Sequence, residues 1–233
     1  GVPLTLPIVQ EAFKRQLPLT NDSQVFMASV KAPVIGITGS AGKTTTTTIV
    51  GRMAKSAMTT PRQAWIGGNI GLPLVEYLDE IAADDIVILE LSSFQLEQMT
   101  LSPNVAAVLN ITPNHLDRHG SMAAYTAAKA RILDFQKPGY TAVLNREDKG
   151  SWDLLPNIKG RLVSFGLRQP PAGETGTWSD GRNIMLQTES GSEIVMSLST
   201  ILLRGEHNVV SVLAACAIAH AAEIGRASCR ERV

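Results

Sequence analysis

One stretch of the chain brings together residue types that can handle a polyphosphate. Gly36-Ile37-Thr38-Gly39-Ser40-Ala41-Gly42-Lys43-Thr44 sets three glycines three apart and ends on a lysine and a threonine. Glycines let the backbone curl so that successive N–H groups face an anion. A lysine at the head of a helix can reach β- and γ-phosphates, and the hydroxyl after it can ligate Mg²⁺. On this reading Gly39, Ser40, Ala41, Gly42, Lys43, Thr44 and Thr45 cradle a nucleotide. The stricter spacing GxxxxGK[ST] is not met, because Ile37 stands at its first glycine position. A glycine-rich link between strand and helix is the plainer alternative.

Such a loop works only between a strand and a helix, and both are legible. Pro33 to Thr38 reads as a short buried strand. A helix follows from about Lys43 to Met58, although the threonine run from Thr44 to Thr48 has poor intrinsic propensity. A strand near Ala64–Ile66 leads into the turn Gly67-Gly68-Asn69-Ile70-Gly71, and Pro73 starts a helix that runs to about Ala83. Asp85 to Leu91 is the strongest strand. Its unbroken apolar run suits a parallel sheet covered on both faces. Val105 to Asn110 is another. Ser121 caps a helix to Gln136, and Tyr140 to Leu144 returns as a strand. Strand and helix alternate from 33 to 145, which predicts βαβ units and a mostly parallel α/β sheet flanked by helices. From 150 to 200 the pattern changes to short strands (Arg161–Phe165, Asn183–Gln187, Glu193–Leu198) with turn signals between them, read as a small antiparallel addition. Asn208 to Ala222 is an alanine-rich helix. Residues 1–32 read as a mixed segment with a weak helical pattern from Ile8 to Leu17, ended by Pro18.

Composition removes other classes. The 233 residues carry 21 Lys plus Arg and 21 Asp plus Glu, so no basic field points to nucleic acid or an anionic membrane. Aromatic residues are 5%, too few for a base-stacking platform. No apolar run approaches the roughly 20 residues that span a bilayer. The two cysteines, Cys216 and Cys229, form no CxxC pair or disulfide framework, which fits a reducing cytoplasm. The chain opens on Gly1-Val2-Pro3-Leu4, with neither an initiator Met nor a signal peptide, so its natural start is expected upstream. Residues 223–233 break the last helix and resemble an in-frame translation of a sequencing adapter. They are treated as non-native, a hypothesis that finding these codons in the genomic locus would overturn.

Five motifs in order carry a resemblance. The GxxGxxGKT loop is followed by Gly67-Gly68-Asn69-Ile70-Gly71, Glu90-Leu91-Ser92-Ser93-Phe94-Gln95-Leu96-Glu97, Asn110-Ile111-Thr112-Pro113-Asn114-His115-Leu116-Asp117-Arg118-His119-Gly120, and Tyr125-xxx-Lys129-x-Arg131-Ile132. Together they resemble the Mur ligases of peptidoglycan synthesis over about residues 1–222. The Glu-Leu-Ser-Ser-Phe-Gln-Leu-Glu segment and the Gly-Val-Pro-Leu opening are most like the D-glutamate-adding branch. The resemblance implies three domains in the whole enzyme. This chain would hold the tail of a UDP-binding domain (1–32) and the ATP-binding domain (33–222), with no third domain.

The same resemblance implies the chemistry and its residues. The expected substrates are UDP-N-acetylmuramoyl-L-alanine and D-glutamate, with ATP and two Mg²⁺ ions, in a monomeric enzyme. Lys43 would neutralise the β- and γ-phosphates. Thr44 and Glu90 would hold one Mg²⁺, and a carboxylate ending the strongest strand sits where ligand sites in α/β sheets collect. His115 would hold a second Mg²⁺. Lys129 would be carbamylated by CO₂, which turns a cation into an oxygen-bearing anion and needs a lysine of lowered pKa. Asn69, Ser92 and Gln95 would contact the muramoyl substrate, and Asn208 would read adenine. Each has a structural alternative: Asn69 a turn residue, Ser92 and Gln95 helix-start residues, Asn208 an N-cap, Lys129 a solvated helix lysine. His119, His207, His220 and Cys216 are read as structural. Two other functions stay open: a folylpolyglutamate-type ligase, which shares the loop and metal ligands, and a nucleotide-binding module without ligase activity.

Overall fold

In the computed structural model, which describes residues 6–71, 73–201 and 205–224, the short apolar runs become strands of one sheet. In chain order the elements are α1 (Pro7–Lys14), α2 (Asp22–Ser29), β1 (Val34–Thr38), α3 (Lys43–Ala57), β2 (Ala64–Gly68), β3 (Ile86–Glu90), α4 (Ser93–Leu96), β4 (Val105–Val108), α5 (Leu116–His119), α6 (Met122–Asp134), β5 (Thr141–Asn145), α7 (Lys149–Trp152), β6 (Arg161–Phe165), β7 (Gly176–Ser179), β8 (Asn183–Thr188), β9 (Gly191–Ser197) and α8 (Glu206–Ala221). The sheet order is β2-β3-β1-β4-β5-β6-β7-β8-β9. All pairs from β2 to β7 are parallel, and β7–β8–β9 are antiparallel.

Alternation along each strand sends side chains to two separate cores. Ile35, Ile37, Ile86, Ile88, Val105, Ala107 and Val143 face Ile49, Val50 and Met53 of α3 and the apolar side of α8. Val34, Val87, Leu89, Ala106, Val108 and Leu144 face Phe26 of α2, Leu96 and Tyr125. Small residues let the layers close. Ala214, Ala215, Ala217 and Ala219 of α8 are buried, and a Cβ at Gly51 would stand 2.2 Å from Ile66 Cδ1. The threonine run is helical because this packing overrides propensity: Thr46 and Thr47 are fully buried in α3.

Three expectations are corrected. The helix from Pro73 to Ala83 is a 3-10 turn at Leu74–Tyr77 followed by tight turns. Leu74 and Ile81 are nevertheless buried, so the apolar spacing is met by tighter coiling. Arg161–Phe165 is no part of an antiparallel addition, because β6 pairs parallel with β5 and extends the main sheet. The antiparallel portion begins at β7, a strand the turn-rich reading of 173–176 hid, and it continues the same sheet. Lastly, residues 22–29 form a helix that docks on the central sheet through Phe26. The Gly1-Val2-Pro3-Leu4 opening and residues 225–233 of the suspected tail lie outside the described residues. Among the described residues no helix is long and apolar enough to cross a membrane.

Because β1, β3, β4 and β5 run parallel, the segments leaving their C-terminal ends share one edge of the sheet. Gly39–Gly42 leaves β1, Glu90 ends β3, and Asn110–His115 leaves β4.

Candidate functional site

The loop after β1 turns into α3 through Gly42, whose φ of 80° lies in the left-handed region that suits glycine. Its first half is already held. Ser40 N donates to Asn110 O at 3.0 Å, Ala41 N to Asn110 Oδ1 at 2.9 Å, and Asn110 Nδ2 to Ala41 O at 3.0 Å. With those amides engaged, the N–H groups left for an anion are those of Gly42 and of the first turn of α3, Lys43, Thr44 and Thr45, which helix geometry leaves without intrahelical acceptors. Ser40 Oγ bridges to Thr112 O at 2.9 Å and meets Tyr125 OH at 3.0 Å. The side chain of Lys43 folds over the loop, with Nζ donating to Gly39 O at 2.9 Å and Ser40 O at 3.3 Å. Burial lowers its pKa, against the opposing pull of the Glu90 carboxylate.

Glu90 is buried, with 1% exposure, yet both carboxylate oxygens are engaged. Oε2 accepts from Thr44 Oγ1 at 2.8 Å and Oε1 from Asn69 Nδ2 at 2.9 Å. Gly68 allows this approach, since a Cβ there would lie 2.2 Å from Glu90 O. Asn69 N also donates to the Glu90 backbone carbonyl at 2.8 Å, so Asn69 holds both the main chain and the carboxylate of Glu90. A carboxylate beside a hydroxyl is a hard oxygen pair that fits Mg²⁺, which takes one or two carboxylates and completes its shell with phosphates and water. Among the described residues no group of three or more His, Cys, Asp or Glu could hold a metal alone. The Thr44–Glu90 pair supplies two oxygens, the number of protein ligands Mg²⁺ takes where phosphates and water complete its shell.

Lys129 is drawn into the same place by α6, whose N-cap is Ser121 as expected. It is 1% exposed, and Nζ donates to Gly39 O at 2.9 Å and to Thr38 Oγ1 at 3.3 Å. It is not a solvated helix lysine. Two amines, Lys43 and Lys129, thus converge on one carbonyl. Burial first, and then the Lys43 charge, push the Lys129 pKa down to about 7. Tyr125, one turn earlier on α6, sets its ring 4.8 Å from that amine. Burial pushes the Tyr125 phenol up, and the bond to Ser40 opposes this.

The remaining candidates rim the site. His115 is exposed, adopts a left-handed φ of 52°, and meets Phe94 edge-on at 5.3 Å. Ser92 and Gln95 form a capping box on α4, and Gln95 Nε2 donates to Ser23 Oγ at 2.9 Å. The helix-start alternative for this pair is thus realised. Asn208 lies in the first turn of α8, and Ser211, one turn on, is 3.6 Å from where a Gly42 Cβ would be. The start of α8 therefore flanks the phosphate loop.

The sequence alone does not disclose the Asn110 clasp, the Tyr125–Ser40 contact or the partners of His119. His119, a structural residue on sequence grounds, packs between Phe94 and Tyr125. The motifs quoted Asn110, Tyr125 and His119; only their contacts, made over long sequence separations, give them roles.

Residues 37–219 match the family model described as the Mur ligase middle domain. The chain is 40% identical over 222 residues to the UDP-N-acetylmuramoylalanine--D-glutamate ligase of Pelotomaculum thermopropionicum, covering 95% of this chain and 48% of that protein. It is 42% identical over 229 residues to the ligase of the same name from Legionella pneumophila strain Lens, covering 96% and 49%. The chain spans about half the length of the curated relatives it matches. Among solved structures it is similar to MurF from Acinetobacter baumannii, with a TM-score of 0.67 at 24% identity over 88% of this chain and 46% of that one. At that identity the structural likeness speaks for the fold alone.

Proposed function

The chain belongs to the Mur ligase family, and from that premise we propose that it is the ATP-binding core of a ligase adding D-glutamate to UDP-N-acetylmuramoyl-L-alanine in peptidoglycan synthesis. The name of the curated relatives supports the substrate pair. Residues 1–32 belong to the end of a preceding nucleotide-sugar domain and residues 33–222 to the ATP domain.

A carboxylate is a poor acyl donor, so its oxygen first attacks the γ-phosphorus of ATP. The bond to the β-phosphate oxygen breaks, and ADP leaves behind an acyl phosphate. The amine of D-glutamate then attacks the acyl carbon, loses a proton, and phosphate departs with the bonding electrons. The first step brings two anions together, so positioning and positive charge must supply most of the catalysis. Lys43 and the amides of Gly42 to Thr45 meet the β- and γ-phosphates, and Asn208 meets the adenine. Thr44 and Glu90 would hold Mg²⁺, which when bound neutralises charge on the phosphate oxygens.

Lys129 and His115 would serve a second ion. The buried amine of Lys129, with a pKa near 7, is substantially neutral at cellular pH. As a neutral amine it can attack CO₂ and lose a proton, giving a carbamate whose oxygens suit Mg²⁺. An imidazole suits Mg²⁺ less well than oxygen does, so His115 is the weakest member of this donor set. A labelled-bicarbonate NMR signal lost in Lys129→Ala would support the carbamate, and full turnover of that variant would sink it. Asn69, Ser92 and Gln95 line the muramoyl side.

The observation that carries this reading is the convergence of Lys43 and Lys129 on Gly39 O beside the Thr44–Glu90 pair. Calorimetry of ATP with Mg²⁺ on this chain and on Lys43→Ala tests it. Binding that disappears in the variant is expected, and equal binding would remove the loop from the mechanism. In the complete ligase, sustained ADP release over many turnovers should require both the muramoyl nucleotide and D-glutamate. Release driven by a folate instead would assign the related folylpolyglutamate activity. The chain by itself, at about half its relatives' length, should turn over weakly or not at all.

A further inference from the structure

We infer that His119 is a positioning residue that sets the spacing between the acceptor side and the phosphate side of the site, an inference that rests on the ligase reading above. His119 closes α5, and its side chain is 1% exposed. Nδ1 lies 2.9 Å from Glu97 Oε1. An ionised carboxylate can only accept, so Nδ1 carries the proton and donates it. Nε2 lies 2.9 Å from Ser93 Oγ and takes that hydroxyl's hydrogen bond. Both nitrogens therefore tie α5 to the Ser92–Glu97 segment, the motif that carries the proposed acceptor contacts.

The ring itself spans to the other side. It stacks on Phe94 at 5.0 Å with 6° between planes, and it meets Tyr125 at 5.1 Å with a 60° tilt. Phe94 belongs to the acceptor motif. Tyr125 belongs to the phosphate side, through its hydroxyl on Ser40 and its ring beside Lys129. His119 is thus the spacer in a run from Glu97 and Phe94 to Tyr125 and the loop. Its two nitrogens and its ring are engaged by Glu97, Ser93, Phe94 and Tyr125. In-line attack needs the reacting atoms about 3–3.5 Å apart, and small misplacement from a remote change can cost about 100-fold in rate. Shortening the spacer would shift the two sides relative to each other without removing any group that binds either substrate.

The test is steady-state kinetics and thermal melting of the complete ligase that contains this segment. His119→Ala should lower kcat about 100-fold while KM for ATP and for the acceptor nucleotide stay within about threefold, the signature of lost positioning rather than lost binding. Glu97→Ala should fall in the same direction, and Glu97→Gln should recover most of that loss because its amide oxygen still accepts from Nδ1. Combining His119→Ala with Glu97→Ala should be no worse than His119→Ala alone, since both break one unit. A lower melting temperature with kcat kept would make His119 a structural pin and overturn the inference. A raised KM with kcat kept would overturn it too. If His119→Ala does not fold, the Glu97→Ala and Glu97→Gln pair decides, and equal kcat in the two overturns it. An inactive wild-type ligase would sink the ligase reading and this inference with it, whereas an active wild type with unimpaired variants would sink the inference alone.

Discussion

The two ends of the sheet bury charge in opposite ways. At the N-terminal end, next to β3, Asp85 is buried and accepts from Gln63 N at 2.7 Å, Trp65 Nε1 at 2.8 Å and Ala82 N at 3.0 Å. Burial pushes its carboxyl up, but the bonds from Trp65, Gln63 and Ala82, with the charge on Arg62, outweigh this and hold it below the usual range. At the C-terminal end Lys129 donates to a carbonyl and a hydroxyl beside the Tyr125 ring, and the charge that acts on it is another lysine. Asp85 is complete in itself. Lys129 is held by neutral oxygens beside a like charge. A buried charge with its lone pairs satisfied belongs to the fold, and one held beside a like charge points to chemistry.

Removing each charge sharpens that contrast. Lys129→Met should cost the complete ligase turnover by a factor on the order of 100–1000, the usual scale for one electrostatic group in a site. Its stability should hold or rise, because a buried charge without a counter-ion is replaced by an apolar chain. Turnover within tenfold of wild type, read as ADP release, would make Lys129 a structural amine and collapse the comparison. Asp85→Ala should do the reverse. Three donors in half-buried bonds lose their acceptor, and unfolding free energy should fall by about 2–4 kcal/mol in a urea titration. Calorimetric ATP affinity of the folded protein should not move. A changed affinity would mean that the two ends are coupled.

The two ends should also answer pH in separate windows, each gaining stability as pH rises. The Lys129 pKa is about 7 in the folded chain against an ordinary 10.5. Between those values the unfolded chain binds more protons, so stability rises with pH across that window. Below about pH 7 the cost of the buried charge is present in full. Lys43, also lowered, acts in the same direction. Asp85 is depressed, so its contribution is present above the ordinary carboxyl value of 3.8 and is lost as pH falls through its lower folded value. Urea midpoints should therefore climb from neutral toward alkaline pH, by at most a few kcal/mol. Lys129→Met should flatten most of the climb. A wild-type midpoint that is flat from pH 7 to 10.5 would remove the basis for the comparison.

What the sequence disclosed of these ends divides by distance along the chain. Gly39 to Thr44 is legible because its glycines, lysine and hydroxyl are neighbours, and Glu90 because a carboxylate ends an apolar run. Most strands were legible too, β7 excepted, but direction was not: nothing within Arg161–Phe165 says whether it runs with or against β5, since the crossover through α7 decides it. The helix expected from Pro73 failed because its apolar spacing suits tight turns as well as an α-helix. α2 was hidden because Phe26 and Ser23 are its only buried residues. His119 was hidden because Ser93, its partner, lies 26 residues away.

The smallest effect should come from Asn21, which lies far from either charge yet touches the acceptor motif. Its Oδ1 caps α2 by accepting from Gln24 N at 2.8 Å, and its Nδ2 donates to Gln95 O at 2.7 Å. A cap and one neutral hydrogen bond are each worth about 1 kcal/mol, so Asn21→Ala should lower stability by about 1–2 kcal/mol. Asn21→Ser separates the two, because a serine hydroxyl can still cap α2 but is too short to reach Gln95. If α2 acts only as part of the fold, as Asp85 does, Asn21→Ser should recover about half of the lost stability and leave acceptor KM unchanged. If α2 also steadies the acceptor motif, acceptor KM should rise equally in both variants while ATP affinity stays fixed. A stability loss in Asn21→Ser equal to that of Asn21→Ala would assign the whole effect to the bond with Gln95 and none to the cap.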